Sequence, residues 1–478
     1  MNTPHNSRLL DDFLERIMLK NQRFPTFCCQ LSLFAFALVV FASPTLAQET
    51  IDLSVNFEKG SQCRVICDFM HSGTVTIPSE ETGEIVPLPL NVDAKLSFFQ
   101  RTTSGEQTIR FFEKANGRIK LDRGTTKPEL SSKNQLIVAR LREKAGEQVE
   151  LASMAGVLDQ AELELIQNPA DPMTLSSVFS RKSVKEGDSW EPPAEALAKM
   201  LRLNRIEESK VKILLKKYDS KSARVYIIGT LLGDVNDVVT EMELSGIATI
   251  NRLDESLSSL KLTVRERRGP GQIAPGFDGK TKIDLRITDA TTDQLSNESL
   301  AKYTGKDKKI RQRVRWQSES GKFSVTYEPR WKMIANEKDA AVLRFIDGNE
   351  LLAQCNIVQL PSRPAENPLT LEDYKTEVAK IIAADDNAVL LAATSLPTLA
   401  GHMALQVVVG GQEEGVPVNW FYYHVTNEDG RRVTLVFTLA ESVSRRVDPI
   451  ATQLVNEFEF EPMAKKIASK KAVDSETK

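Results

Sequence analysis

The sequence predicts an α+β protein in two folded parts, a β-rich part followed by a smaller part that mixes an antiparallel sheet with helices. Three observations carry this. Long stretches between 51 and 290 alternate apolar and polar residues with a period of two, the signature of strands with one covered face. The last third alternates such strands with two helix-like stretches. The length of 478 residues and a hydrophobic content of 41% allow each part its own core.

Composition narrows the function classes. With 62 Lys+Arg against 65 Asp+Glu, the net charge of −3 lacks the basic excess of a dedicated nucleic-acid binder, so no nucleic-acid partner is expected. Residues 1–47 read as a signal peptide. Lys20 and Arg23 precede the apolar run LSLFAFALVVFA (31–42), Ser43 and Pro44 break it, and Thr45-Leu46-Ala47 offers a cleavage site before Gln48. The expected location is therefore exported, periplasmic or secreted. A retained signal anchor is the alternative, weakened by Gln30 and Pro44 inside the window a spanning helix would need. After the leader only Cys63, Cys67 and Cys355 remain, too few for a disulfide framework.

The expected domains are a β-rich exported domain over 48–288, a polar linker over 289–318, a second domain over 319–462, and a charged tail over 463–478 expected to be disordered. In the first, Leu53/Val55/Phe57, Val65/Cys67/Phe69, Leu260/Leu262/Val264 and Ile283/Leu285/Ile287 alternate. Helices are expected near 151–166 and 194–206. A curved or barrel-like sheet fits this pattern. The steps Val184-Lys185-Glu186-Gly187-Asp188-Ser189-Trp190, then Ala223 to Gly229 (ARVYIIG) and Met242 to Gly246 (MELSG), resemble a family of exported, uncharacterised bacterial β-rich domains. That resemblance implies an extracytoplasmic location and no reaction.

In the second domain, FSVTYEPRW (323–331) opens a strand, and strands follow at 341–346 and 353–360. Thr370 caps a helix carrying Leu371, Tyr374, Val378, Ile381 and Ile382 on one face. Strands at 388–394, 402–409, 416–426 and 431–439 come next, the last pair joined by the turn Asn427 to Gly430, before a helix near 447–457. This order, with GHMALQVVV (401–409), resembles the PsbP-like superfamily. The resemblance implies an α/β/α sandwich around an antiparallel sheet and a mostly non-catalytic role in docking on larger assemblies.

Four constellations are candidates for chemistry. Trp420, Tyr422 and His424 share one strand face with His402 on a neighbouring strand, which would suit a ring- or sugar-stacking pocket; the same alternation fits a central strand buried on both faces. Arg311, Arg313 and Arg315 alternate and could contact a polyanion or anionic lipid heads, or form a solvated strand face. Cys63, Cys67 and His71 have the helical spacing of metal ligands, but on a strand the two cysteines stand about 13 Å apart. Inward-facing core cysteines are then expected, and no metal site. Ala274 to Thr281 matches a relaxed phosphate-loop pattern without the strand-then-helix frame that chemistry needs, so a Gly/Pro turn is expected. No cofactor or catalytic residue is assigned. The leading expectation is a non-enzymatic binding or assembly protein of the cell envelope, partnered by an envelope protein, with peripheral membrane contact as a further option. A carrier of a small apolar ligand or lipid in the β-rich domain is the alternative, and a hydrolase the third.

Overall fold

The computed structural model describes residues 50–462, apart from 57, 79–83, 143–148, 237, 272–274, 304–311, 321, 348–349, 365, 384–386 and 414. Residues 1–47, expected from the sequence as a signal peptide, Arg311 and the tail 463–478 lie outside the described residues. None of the described helices is long and apolar enough to cross a membrane. The chain divides into two compact units, Met1–Gln312 and Arg313–Lys478.

Unit one is dominated by a single antiparallel sheet. Besides the short Gly124–Thr126, which pairs with the end of β3, its strands are β1 (Gln62–Pro78), β2 (Ile85–Ser104), β3 (Gln107–Leu121), β4 (Leu136–Arg140), β5 (Glu150–Ser153), β6 (Ser189–Trp190), β7 (Arg205–Ser209), β8 (Lys212–Tyr218), β9 (Ser222–Val235), β10 (Val238–Asn251), β11 (Ser256–Arg268) and β12 (Gly276–Asp289). Their order is β6-β8-β9-β10-β11-β12-β1-β2-β3-β4-β5, with β7 also pairing β9. The sheet has two ends, so the barrel-like alternative resolves to an open sheet. Most neighbours are hairpin partners. The longest-range pairing is β12 beside β1, which ties Gly276–Asp289 to Cys63–Thr76 without a bulge.

One face of this sheet is apolar along its whole width. Val65, Cys67, Leu96, Phe98, Leu260, Leu262, Val264, Ile283 and Leu285 are all buried on it. The opposite parity is polar: Asp68, Lys261, Asp284 and Arg286 form cross-strand ion pairs there. Two helices lie against the apolar face at β3. Helix α1 (Gln160–Ile166) starts with a capping box between Asp159 and Glu162. Helix α2 (Pro172–Phe179) is capped by Asp171, whose carboxylate also takes both terminal nitrogens of Arg110 at 2.6 and 2.7 Å. A third helix, α3 (Ala194–Leu201), ends on Arg202 in the left-handed region and packs beside α2. The helix expected over 151–166 begins only at Gln160, because Glu150–Ser153 is recruited as strand β5. The helix expected over 194–206 stops at Leu201, and Arg205–Ser209 pairs with β9.

The segment expected as a linker is partly folded. A 3-10 turn (Asp293–Leu295) and helix α4 (Asn297–Ala301) place Leu295 and Leu300 against Ile109 and Leu136 of unit one. Two leucines in an otherwise polar stretch are enough to dock it, a signal too sparse for any periodicity.

Unit two begins with β13 (Val314–Gln317) and β14 (Phe323–Tyr327). It continues with β15 (Trp331–Glu337), β16 (Ala340–Asp347), β17 (Glu350–Leu360) and helix α5 (Leu371–Ile382). Strands β18 (Val389–Pro397), β19 (Met403–Glu413), β20 (Val416–Thr426) and β21 (Arg432–Ala440) follow, then helix α6 (Ser444–Asn456) and β22 (Phe458–Phe460). The larger sheet has seven strands in the order β15-β16-β17-β21-β20-β19-β18, all antiparallel, and β22, β14 and β13 lie side by side in a small one. The turn at Asn427 works as expected: Gly430 adopts φ 76°, and the Asn427 side chain accepts from Arg431 N–H at 2.9 Å. Thr370 caps α5 by accepting from Asp373 N–H at 3.2 Å. The chain is thus mostly antiparallel β-structure with helices added to it.

Candidate functional site

In unit one the apolar face is fully covered in its middle and uncovered at one end. Continuous register fixes which residues meet there. Thr281, His71, Val92 and Ile119 form one row across β12, β1, β2 and β3. Gly279, Gly73, Leu90 and Leu121 form the next, and Phe277, Val75 and Leu88 the third. On the β12 side the row ends are covered, since Phe277 is 3% and Thr281 5% exposed. On the other side Val75, Leu88, Leu90, Val92 and Ile119 are only partly buried, and Leu121 is exposed. The result is a strip of five aliphatic side chains half open to water.

A compact polar group borders the strip. The His71 Nδ1 lies 2.7 Å from Thr281 Oγ1, and its ring stacks on Phe277 at 4.2 Å and 17°. Gly279 makes this possible: a Cβ there would lie 2.2 Å from the Phe277 ring. On β11, Glu266 and Arg268 occupy the same face and pair at 2.5 Å. Arg268 also donates to the Pro275 carbonyl at 3.2 Å. Burial, helped by the nearby Arg268 charge, lowers the His71 pKa to about 4, so the ring is neutral at pH 7. Burial raises the Glu266 carboxyl above its ordinary value, and Arg268 only partly opposes this. The arrangement offers an apolar floor next to a neutral imidazole and a charge-balanced ion pair. It suits a molecule with an apolar body and a hydrogen-bonding end.

His71 was visible in the sequence only as the third member of the Cys63/Cys67 spacing. All three residues lie on β1, and both cysteines are free. Burial pushes the thiols up, to about 11 for Cys63 and about 12 for Cys67, so neither is a thiolate at neutral pH. No cluster of metal-ligating side chains occurs among the described residues. Glu266 and Arg268 could have been found from phase alone, since they continue Leu260, Leu262 and Val264 at the same parity. In the phosphate-loop match, Gly279, Lys280 and Thr281 sit inside strand β12, with no helix after them to face a phosphate. The opposite, charged face carries two shallow grooves, of about 460 and 380 Å³. Both mix Arg265 with Glu243, so neither selects a charge.

In unit two, Trp420, Tyr422 and His424 share a face as expected, and α5 covers it. Trp420 and Tyr422 pack in one cluster with Leu369, Tyr374, Val378, Leu405 and Val407. On the other face Tyr423 meets Phe437 edge-on at 5.6 Å. Strand β20 is therefore buried on both faces. His424 is 1% exposed and lies 5.2 Å from the Tyr374 ring, and neither ring nitrogen has a hydrogen-bond partner. Burial, with help from Arg432 and Arg363, lowers its pKa to about 3. His402 has different neighbours. It is half-buried against Phe460 at 5.0 Å, and burial lowers its pKa as well. The structure does not join the two histidines in one pocket. Of the arginine run, Arg313 pairs with Glu457 at 2.6 Å, and Arg315 pairs with Glu461 and donates to Ser324 Oγ at 3.0 Å. Their charges are answered inside unit two.

No protein-family model matches the chain, and no curated protein matches it. Among solved structures, the PsbP of Synechocystis sp. PCC 6803 is similar over 33% of this chain and 98% of its own, at 15% identity and a TM-score of 0.26. Lipovitellin is similar over 50% of this chain and 27% of its own, at 9% identity and a TM-score of 0.29. The immunity protein TplEi of Pseudomonas aeruginosa is similar over 49% of this chain and 95% of its own, at 11% identity and a TM-score of 0.21. These are weak structural similarities.

Proposed function

We propose that the chain is an exported binding protein whose β-rich unit takes up an apolar or amphipathic molecule at the open end of its sheet. The observation that supports this is the half-exposed row of Val75, Leu88, Leu90, Val92 and Ile119, set in register beside His71, Glu266 and Arg268. Each methylene that leaves water on such a strip contributes about 0.8 kcal/mol. A chain of about eight methylenes would then supply about 6 kcal/mol before the costs of association, which fits reversible carriage better than permanent retention. Export is proposed from the apolar leader and its small-residue cleavage site.

The experiment is solvent extraction of the protein purified from its own envelope, followed by mass spectrometry, alongside titration with a fluorescent fatty-acid analogue. The expected result is an extractable apolar molecule and saturable probe binding. Leu90→Lys should abolish the binding, and Lys282→Leu on the charged face should leave it intact. Neither an extractable molecule nor saturable binding, in protein shown to be folded, would refute the proposal.

A further inference from the structure

We propose that β18 is a self-association edge, through which two copies of this chain pair antiparallel about a two-fold axis. The seven-stranded sheet of unit two has two edge strands, and they differ in kind. Strand β15 carries Lys332 and Glu337, both exposed, and a bulge between Met333 and Ala335, features that blunt an edge against pairing. Strand β18 (VLLAATSLP) carries no charge. Val389 is 60% exposed and Leu391 58%, and Leu390 and Ala392 are exposed beside them. From Asn387 to Gln412 the sequence contains no Asp, Glu, Lys or Arg, in a chain that is 27% charged. Exposed apolar side chains extend beyond the strand, with Leu399 at 82% and Met403 at 49%.

The absence of charge points to a second copy as the occupant. In an isologous pair the same patch meets itself, so a charge on the axis or an edge of one charge sign would set like against like, whereas an uncharged apolar edge is self-complementary. This edge carries no charge. A strand bearing alternating charges would instead set them against Val389 and Leu391 without partners. Strand β18 has one bulge, between Leu390 and Ala392, and Ala392–Leu396 beyond it is regular. Antiparallel pairing centred on this stretch places Thr394 and Ser395 near the axis, where hydroxyls can pair across strands. The backbone N–H and C=O groups on the free side of β18 would then be satisfied, and the sheet would run through both copies.

The test uses the whole exported chain without its leader. Sedimentation velocity over a range of concentrations should show the average mass rising from one chain toward two. Hydrogen exchange of 389–397 should slow as concentration rises, a readout that needs no variant. Leu391→Lys with Ser395→Lys, both at exposed positions, should hold the protein at one chain with an unchanged circular dichroism spectrum. A single-chain mass at all concentrations with concentration-independent exchange would overturn the proposal, as would a dimer unaffected by the double variant. Binding of the single chain to phospholipid vesicles, lost in the double variant, would also overturn it and assign the edge to a membrane surface. None of these outcomes depends on ligand uptake by unit one.

Discussion

Replacing Asp171 by Ala should cost unit one about 4–5 kcal/mol. Arg110 is among the largest fully buried side chains, at 1% exposure, and among the described residues its ion-pair partner is Asp171, which grips it through two bonds of 2.6 and 2.7 Å. The Gln100 side-chain Oε1 accepts from Arg110 Nε at 3.0 Å, and the Phe98 ring lies 5.1 Å from the guanidinium. Neither replaces the lost charge. Leaving one member of a buried pair uncompensated costs roughly 3–5 kcal/mol. Asp171 also caps α2 by accepting from Met173 N–H at 3.0 Å, worth about 1 kcal/mol. Urea unfolding followed by hydrogen exchange of peptides within Gln107–Leu121 reports on this sheet without interference from unit two. For a slope of about 2.5 kcal/mol/M, the midpoint should fall by roughly 1.5–2 M. Arg110→Met combined with Asp171→Ala should recover most of that, leaving about 1 kcal/mol for the missing cap. A midpoint shift below about 0.4 M in the single variant, or a double variant no more stable than it, would show that the pair does not anchor α2 to the sheet.

Three further outcomes follow from the geometry. His424→Leu should stabilise unit two by about 1–3 kcal/mol in thermal unfolding at pH 7, because it removes a buried ring whose nitrogens have no partners. The same histidine fixes the sign of an acid response. Its folded pKa of about 3 lies below the unfolded value of about 6.5, so the unfolded chain binds the extra proton, and stability falls as pH drops from about 6.5 toward 3. The limiting slope is about 1.4 kcal/mol per pH unit for this residue, and denaturant titrations at pH 7, 5 and 4 should show that slope vanish from unit two in the Leu variant. Gly279→Ala should displace the Phe277 ring from His71, visible as a changed His71 imidazole resonance and a weaker fatty-acid probe affinity, with backbone strain added because the new Cβ would also meet the Ser72 carbonyl at 2.6 Å.

The parts of the fold legible in the sequence are those where neighbours in the chain are neighbours in space. Val65/Cys67, Leu260/Leu262/Val264 and Ile283/Leu285/Ile287 alternate because each strand has one wet face, and the Asn427–Gly430 turn declares its hairpin locally. Pairing of β12 with β1 joins segments more than 200 residues apart, and no local pattern encodes it. The region 150–206 departs from its sequence pattern for a related reason. Short strands of two to five residues, such as Ser189–Trp190 and Arg205–Ser209, complete too few periods to be told from helix ends or loops. The candidate site shows the same limit. The histidines and aromatics of β20 stand out in the sequence because they are consecutive, yet consecutive large residues on a central strand fill two cores at once. His71, Glu266 and Arg268 are inconspicuous one by one, and only the register of four strands, β11, β12, β1 and β2, brings them beside Val92 and Leu90. Their one local trace is that a charge pair at 266 and 268 keeps the phase of a buried apolar run. That is a costly place for charge in a sheet built only for packing, and an intelligible one at the rim of a surface that, as proposed above, would receive a polar end group.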